Sequence, residues 1–228
     1  MKKDGKELRV ICHEDLKDND KASMVAFLGA PIVAIEKICT GNEVVNAFKS
    51  LNDYMTGTST PISLVVPAEI GGMNSIAPIY AAAQLGLPCL DSDGMGRAYP
   101  ELQMVSSLIY GCKPTPLAAS DEKGNNFLAL QVEGDSPKNC EDFLRTTAVN
   151  YGGFLGIALN PLSKAEVKDL LVHNSISRCW RLGLSVLEAR KNHSDPMVAM
   201  EKHESAKLIF TGKIINVRKG IERGFNIG

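Results

Sequence analysis

Ile62-Ser63-Leu64-Val65-Val66-Pro67, then the run from Asn74 to Leu85, then Cys89-Leu90-Asp91 decide the fold of this chain. The first run is short, branched and apolar, as a strand buried on both faces of a parallel sheet would be. Pro67 belongs near its end, because proline has no N–H for the ladder. The second run reads as a helix stopped by Gly86 and Pro88. The third is another short strand. Strand, helix and strand within about 30 residues form a right-handed βαβ unit.

Upstream, Ser23–Leu28 reads as a strand that stops at Gly29-Ala30-Pro31. Residues 42–55 read as a helix, with Val44, Phe48, Leu51 and Met55 at three- and four-residue spacing and Asn42 as N-cap. Downstream, Thr115–Ala119 and Phe127–Val132 flank a polar turn and predict a hairpin. Ser136-Pro137 opens a helix, Phe154–Leu159 is an apolar run, and Ser163-Lys164-Ala165-Glu166 fits a capping box. A long helix spans about Ser175 to Lys191, and Asp195-Pro196 starts a short one. Residues 1–205 therefore read as an α/β layer domain. Leu208–Val217 is strand-like, so residues 206–228 are expected to begin a β-rich C-terminal domain that is cut short.

Composition narrows the function. Among 228 residues 44% are apolar and the net charge is −1, which fits a globular core and leaves no basic surplus for nucleic acid. No segment approaches the ~20 apolar residues of a membrane span. The charged start, Met1–Glu7, lacks the apolar run of a signal peptide, so cytoplasm is expected. The six cysteines show no Cys-x-x-Cys pair and read as small apolar residues; Cys89, inside a strand, reads as core. Trp180, at helical spacing with Ile176 and Gly183, also reads as core, and His203 reads as solvated surface. The four histidines form no metal-binding spacing, and Gly94-Met95-Gly96 is too short for a dinucleotide fingerprint.

Charge gathers after the strands. Asp91-Ser92-Asp93-Gly94-Met95-Gly96-Arg97-Ala98-Tyr99-Pro100-Glu101 holds four charged residues and two glycines. Parallel strands end on one edge of a sheet, where open α/β folds bind ligands, so Glu69 and Asp91 are expected to face one crevice, with Asp93 pointing the same way. The turn Glu69-Ile70-Gly71-Gly72-Met73-Asn74-Ser75 lets the backbone approach a ligand and opens a helix whose free N–H groups suit an oxygen. Glu36 is a third acid of this kind. Each has a plainer alternative: Asp91 and Asp93 as turn residues, Asn74 as an N-cap, Arg97 and Glu101 as a surface ion pair worth under ~1 kcal/mol.

These residues carry a family resemblance. Glu69–Ser75, Leu85–Pro88 and Asp91–Met104, together with Gly29–Pro31, Glu36-Lys37, Ala119–Gly124, Gly152-Gly153 and Phe210–Lys213, resemble the S-methyl-thiohydantoin desulfurase-like proteins, which are associated with hydantoinase/oxoprolinase subunits. The resemblance implies a three-layer α/β/α sandwich with a largely parallel sheet, followed by a β-rich domain. It implies a hydrolase for which water replaces the sulfur substituent of a thiohydantoin ring, giving a hydantoin and a thiol. Under that reading Glu69, Asp91, Asp93 and Arg97 are catalytic, with a divalent metal such as zinc on Asp91 and Asp93. Gly71, Gly72, Asn74, Ser75, Gly94 and Glu101 would bind the ring. The resemblance also implies a Gly-rich segment before the first residue, so the chain is expected to be a fragment. The other reading is a non-catalytic scaffold or partner of a hydantoinase/oxoprolinase subunit.

Overall fold

In the computed structural model, residues 7–37, 39–58, 60–218, 220–222 and 225–227 are described. The charged residues 1–6 lie outside them. The strands are β1 (Val10–Ile11), β2 (Lys21–Gly29), β3 (Leu64–Pro67), β4 (Cys89–Leu90), β5 (Ser92–Asp93), β6 (Leu117–Ser120), β7 (Asn126–Ala129), β8 (Phe154–Ala158), β9 (Leu162–Ser163), β10 (Val172–His173), β11 (Gly220–Glu222) and β12 (Phe225–Ile227). The helices are α1 (Pro31–Glu36), α2 (Glu43–Thr58), α3 (Met73–Leu85), α4 (Ser106–Ile109), α5 (Pro137–Asn150), α6 (Lys164–Leu170), α7 (Ser175–Lys191) and α8 (Pro196–Glu204).

The central sheet runs β1-β4-β3-β2-β8-β6-β7, with β9 also paired to β2. From β1 to β2 every pairing is parallel, and the βαβ unit expected from β3, α3 and β4 is there. Beyond β2 the sheet turns antiparallel, because β8 pairs against β2 and β6 against β8. Successive residues of the central strands alternate between two cores. Met24, Ala26, Leu28, Leu64, Val66, Leu155 and Ile157 pack with Leu144 of α5 and Val167 of α6. Val25, Val65, Ala118 and Ala158 pack on the other face with Phe48 and Leu51 of α2 and Ala81 of α3. Helices thus cover both faces, the three-layer α/β arrangement.

Local chemistry sets the helix ends. Ser163 and Glu166 complete the capping box at α6; Ser136 with Pro137 opens α5; Asp195 accepts the Met197 N–H at the start of α8. Gly86 ends α3 in the left-handed conformation. Gly29 ends β2 at φ +143, where a Cβ would meet the Gly153 carbonyl oxygen at 2.3 Å. The missing Cβ lets the β2 and β8 ends come together at the sheet edge, where Gly29 pairs with Phe154.

Three expectations are corrected. Leu208–Val217 forms no strand: it finds no ladder partner among the described residues, and Ile209 and Ile215 are 90% and 94% exposed. Among the described residues that follow, β11 and β12 form a small hairpin. Trp180 is 69% exposed rather than core, because α7 turns only Ser175 and Ala189 fully inward. The cysteines divide: Cys89 and Cys140 are buried, whereas Cys12 and Cys179 are exposed.

Candidate functional site

The carboxyl ends of β2 and β3 open into a cleft of about 560 Å³. Its walls include Phe27, Leu28, Met73, Met95, Tyr99, Val105, Phe154 and Ile157, and its polar groups include Glu69, Asn74, Glu101, Glu141 and Arg145. Phe27 and Phe154 stack with ring centroids 4.8 Å apart. A largely apolar hollow with a few convergent polar groups, at the edge where strand direction reverses, is what a small-molecule site requires.

Glu69 lies two residues beyond the end of β3 and is held from two sides. Its Oε1 accepts the Asn74 side-chain N–H at 2.7 Å, and its Oε2 accepts the Tyr99 backbone N–H at 3.1 Å. Asn74 in turn ties α3 to the end of β2. Its Oδ1 accepts the Phe27 N–H at 2.7 Å, and its Nδ2 donates to the Phe27 carbonyl at 3.1 Å, continuing the backbone pairing beyond the strand. Asn74 is therefore a brace and not an N-cap. The cap position is Gly72, which supplies no side-chain bond, so no side chain caps the first turn of α3, whose Gly72, Met73 and Asn74 line the cleft.

The structure brings together Glu69, Asn74, Gly72 and Glu101 on the cleft and leaves the other expected site residues elsewhere. Gly71 lies beneath Glu69, where a Cβ would meet Ala98 Cβ at 3.1 Å. Ser75 donates its hydroxyl back to the Gly71 carbonyl. Gly94 is packed under the sheet edge, where a Cβ would lie 2.8 Å from the Ala68 oxygen. Glu36, at the end of α1, is exposed. Arg97 does not pair with Glu101; its guanidinium lies 5.4 Å from the Tyr99 ring centroid, while Glu101 accepts from the Gln103 amide.

Asp91 and Asp93 are placed apart from the cleft by a pairing that strand periodicity could not reveal. After β4 the chain enters β5, which pairs antiparallel with β10. Asp91 consequently meets the start of α7: its Oδ1 accepts the Ser177 N–H at 3.0 Å and its carbonyl accepts the Asn174 N–H at 2.8 Å. A negative charge there complements the helix N-terminus. Asp93 is buried, and its Oδ2 accepts the Met95 and Gly96 N–H groups at 2.9 and 2.6 Å. Burial pushes its carboxyl above the usual carboxylate range, against the lowering effect of those amides. The donor set does not fit a zinc ion. One oxygen of each aspartate is taken by backbone N–H groups while Asp93 Oδ1 is buried without a hydrogen-bond partner, and among the described residues no group of three or more His, Cys, Asp or Glu is placed to hold a metal.

The neighbouring polar groups also serve the frame. Buried Ser92 lies 2.9 Å from His173 Nδ1, while His173 Nε2 donates to the Lys168 carbonyl at 2.9 Å. Burial pushes the Cys89 thiol up to about 12, in keeping with a core residue and not a nucleophile.

Sequence reading missed Glu141 and Arg145. Both side chains are nearly buried, 2% and 12% exposed, and Arg145 donates from Nε and Nη2 to Glu141 Oε1 at 2.9 and 2.6 Å. The signal was present: an i,i+4 charged pair beside Cys140, Leu144 and Ala148, on the face of α5 that its spacing turns inward.

Comparison with known proteins gives the same family. The chain belongs to the S-Me-THD-like family. Its N-terminal-domain model matches residues 1–131, and its C-terminal-domain model matches residues 135–228. A C-terminal domain only begun at residue 206 is not what these matches support, since the second takes in α5 to α8 as well. A crystal structure of a protein from Chromobacterium violaceum is similar at 28% identity and a TM-score of 0.74, over 86% of this chain and 53% of that one. The chain thus spans about half the length of that protein. No curated protein matches it. No helix among the described residues is long and apolar enough to cross a membrane.

Proposed function

We propose that this chain is a hydrolase-type domain acting on a thiohydantoin- or hydantoin-like ring, in the cytoplasm, releasing a thiol when the ring carries a sulfur substituent. The observation that carries this reading is the braced carboxylate of Glu69 on the wall of an apolar cleft, beside the open first turn of α3. A planar ring suits a hollow walled by stacked Phe27 and Phe154.

Glu69 retains lone pairs beyond its two hydrogen bonds and can orient and deprotonate a water. The water oxygen bonds to the ring carbon that bears sulfur. Its first proton passes through Glu69 to the adjacent ring nitrogen. As the tetrahedral centre collapses, the carbon–sulfur bond breaks, a carbonyl forms, and the remaining hydroxyl proton leaves on sulfur as the thiol. Amides at the start of α3 face the charge that builds up on the way. Running the reaction in oxygen-labelled water tests the scheme. The label should appear in the new ring carbonyl with one thiol released per label, and thiol release without label would rule out direct attack by water.

A second reading is a non-catalytic partner of a hydantoinase/oxoprolinase subunit. The exposed Trp180, Leu184 and Leu187 on one side of α7, with Met197 and Val198 on α8, favour it. It predicts stable co-purification with such a subunit and no ring turnover by the isolated chain.

A further inference from the structure

One wall of the cleft is the backbone segment Tyr99–Leu102, and all four of its residues line the hollow. It belongs to no sheet and no α-helix up to Glu101, so its polar backbone groups need partners from elsewhere. They come from three side chains. Glu69 Oε2 accepts the Tyr99 N–H at 3.1 Å. Arg145 Nη2 donates to the Pro100 carbonyl at 3.2 Å. Glu141 Oε2 accepts the Leu102 N–H at 3.0 Å. Glu141 Oε1 meanwhile holds Arg145, so the two α5 residues act as one fork closing on the backbone on both sides of Glu101.

An apolar pair in the same place would serve stability as well or better, because a buried ion pair loses in desolvation what it gains in attraction. An apolar pair could not fasten a carbonyl and an N–H two residues apart. We infer that Glu141 and Arg145 are positioning residues: they fix the Tyr99–Leu102 strap against α5 and so set the width of the cleft for the ring that Glu69 faces. This rests on the ring-binding reading of the cleft. The strap is thereby fastened at one end to the residue proposed as base and at the other to a helix from the opposite layer. A change in the fork should reach the ring through the strap and not through Glu69.

The test replaces the fork without stranding a buried charge or leaving an acceptor for the Leu102 N–H, by the double variant Glu141→Leu with Arg145→Met, alongside the single variant Arg145→Lys. Two quantities are read: amide hydrogen exchange at Leu102 relative to the interior amides of α5, and KM against kcat for an S-methyl-thiohydantoin. In the double variant, Leu102 exchange should rise at least tenfold while α5 stays protected. KM should rise about tenfold with kcat within about twofold, as expected for loss of binding shared by ground and transition states. Arg145→Lys keeps the cation beside Glu141 and should recover most of the KM change. Unchanged Leu102 exchange, or a fall in kcat and melting temperature with KM untouched, would overturn the inference. If Leu102 exchange rises but the parent protein neither binds nor turns over the ring, the strap is fastened as described and the ring reading of the cleft is what fails.

Discussion

Glu69 is the residue on which the proposed chemistry turns, and its surroundings make it replaceable without collapse. Glu69→Gln keeps an oxygen for one of its two partners but faces the other with an N–H, a loss of about 1 kcal/mol. It also removes the base, so the rate of thiol release should fall by about 10²–10⁴ while the ring still binds. Asp93 makes a different prediction. Burial raises its carboxyl in the folded state, so the folded chain holds that proton over a range where the unfolded chain, near the ordinary value of about 3.9, has released it. The stability it contributes is complete below that ordinary value and is lost as pH rises through the folded one. Asp93→Asn keeps an oxygen for the Met95 and Gly96 amides and cannot ionise. Its melting temperature should therefore gain on the parent as pH rises from about 4 towards neutrality and match it in acid. An advantage that shrinks with rising pH would contradict this. Asp91 and Asp93 stood out in sequence as acids at the end of a strand. What sequence could not show is the β5–β10 pairing, between residues about 80 positions apart, which buries both, one against the start of α7 and the other under its own loop amides.

Among the elements, those governed by neighbouring residues were legible. The α7 bounds, the Ser163–Glu166 capping box, Ser136-Pro137 at α5 and Gly86 after α3 all follow from interactions within a few positions. The reversal of strand direction at β8, the two-residue strands β1, β5 and β10, and the short α1 depend on distant partners and carry no periodicity of their own. Leu208–Val217 shows the converse: it has strand composition, but among the described residues it has no neighbour with which to share a ladder. Two consequences belong at this scale. Asp91→Ala should cost about 1 kcal/mol and speed amide exchange in the first turn of α7 alone, since Asp91 supplies the acceptor for the Ser177 N–H. Gly29→Ala should cost about 1–3 kcal/mol by driving β2 and β8 apart at the Gly153 carbonyl, a change visible as a lowered denaturation midpoint and a weakened cleft.

For the molecule as a whole, two well-filled cores flank the sheet, while α7, α8 and residues 208–217 leave apolar side chains in solvent. Trp180, Leu184 and Leu187 recur at helical spacing on one side of α7 and make a patch larger than a scattered surface residue would. The protein should bind a dye that reports apolar surface, and Trp180→Lys with Leu187→Glu should lower that signal without changing the melting temperature by more than a few degrees; an unchanged signal would place the exposed surface elsewhere. The cleft is lined from the start of α3, from α5 and from the strand ends and by no residue of α7, so the proposed catalysis and any partner on α7 would draw on separate parts of the fold. Membership of the S-Me-THD-like family covers both halves of the chain, and the ring chemistry proposed for it depends on one carboxylate at one edge of the sheet. Thiol release from an S-methyl-thiohydantoin, measured side by side for this chain and for Glu69→Gln, tests that claim most directly. The account predicts release by the parent and a loss of at least a hundredfold in the variant; a parent that releases no thiol, or a variant that keeps the parent's rate, would contradict it.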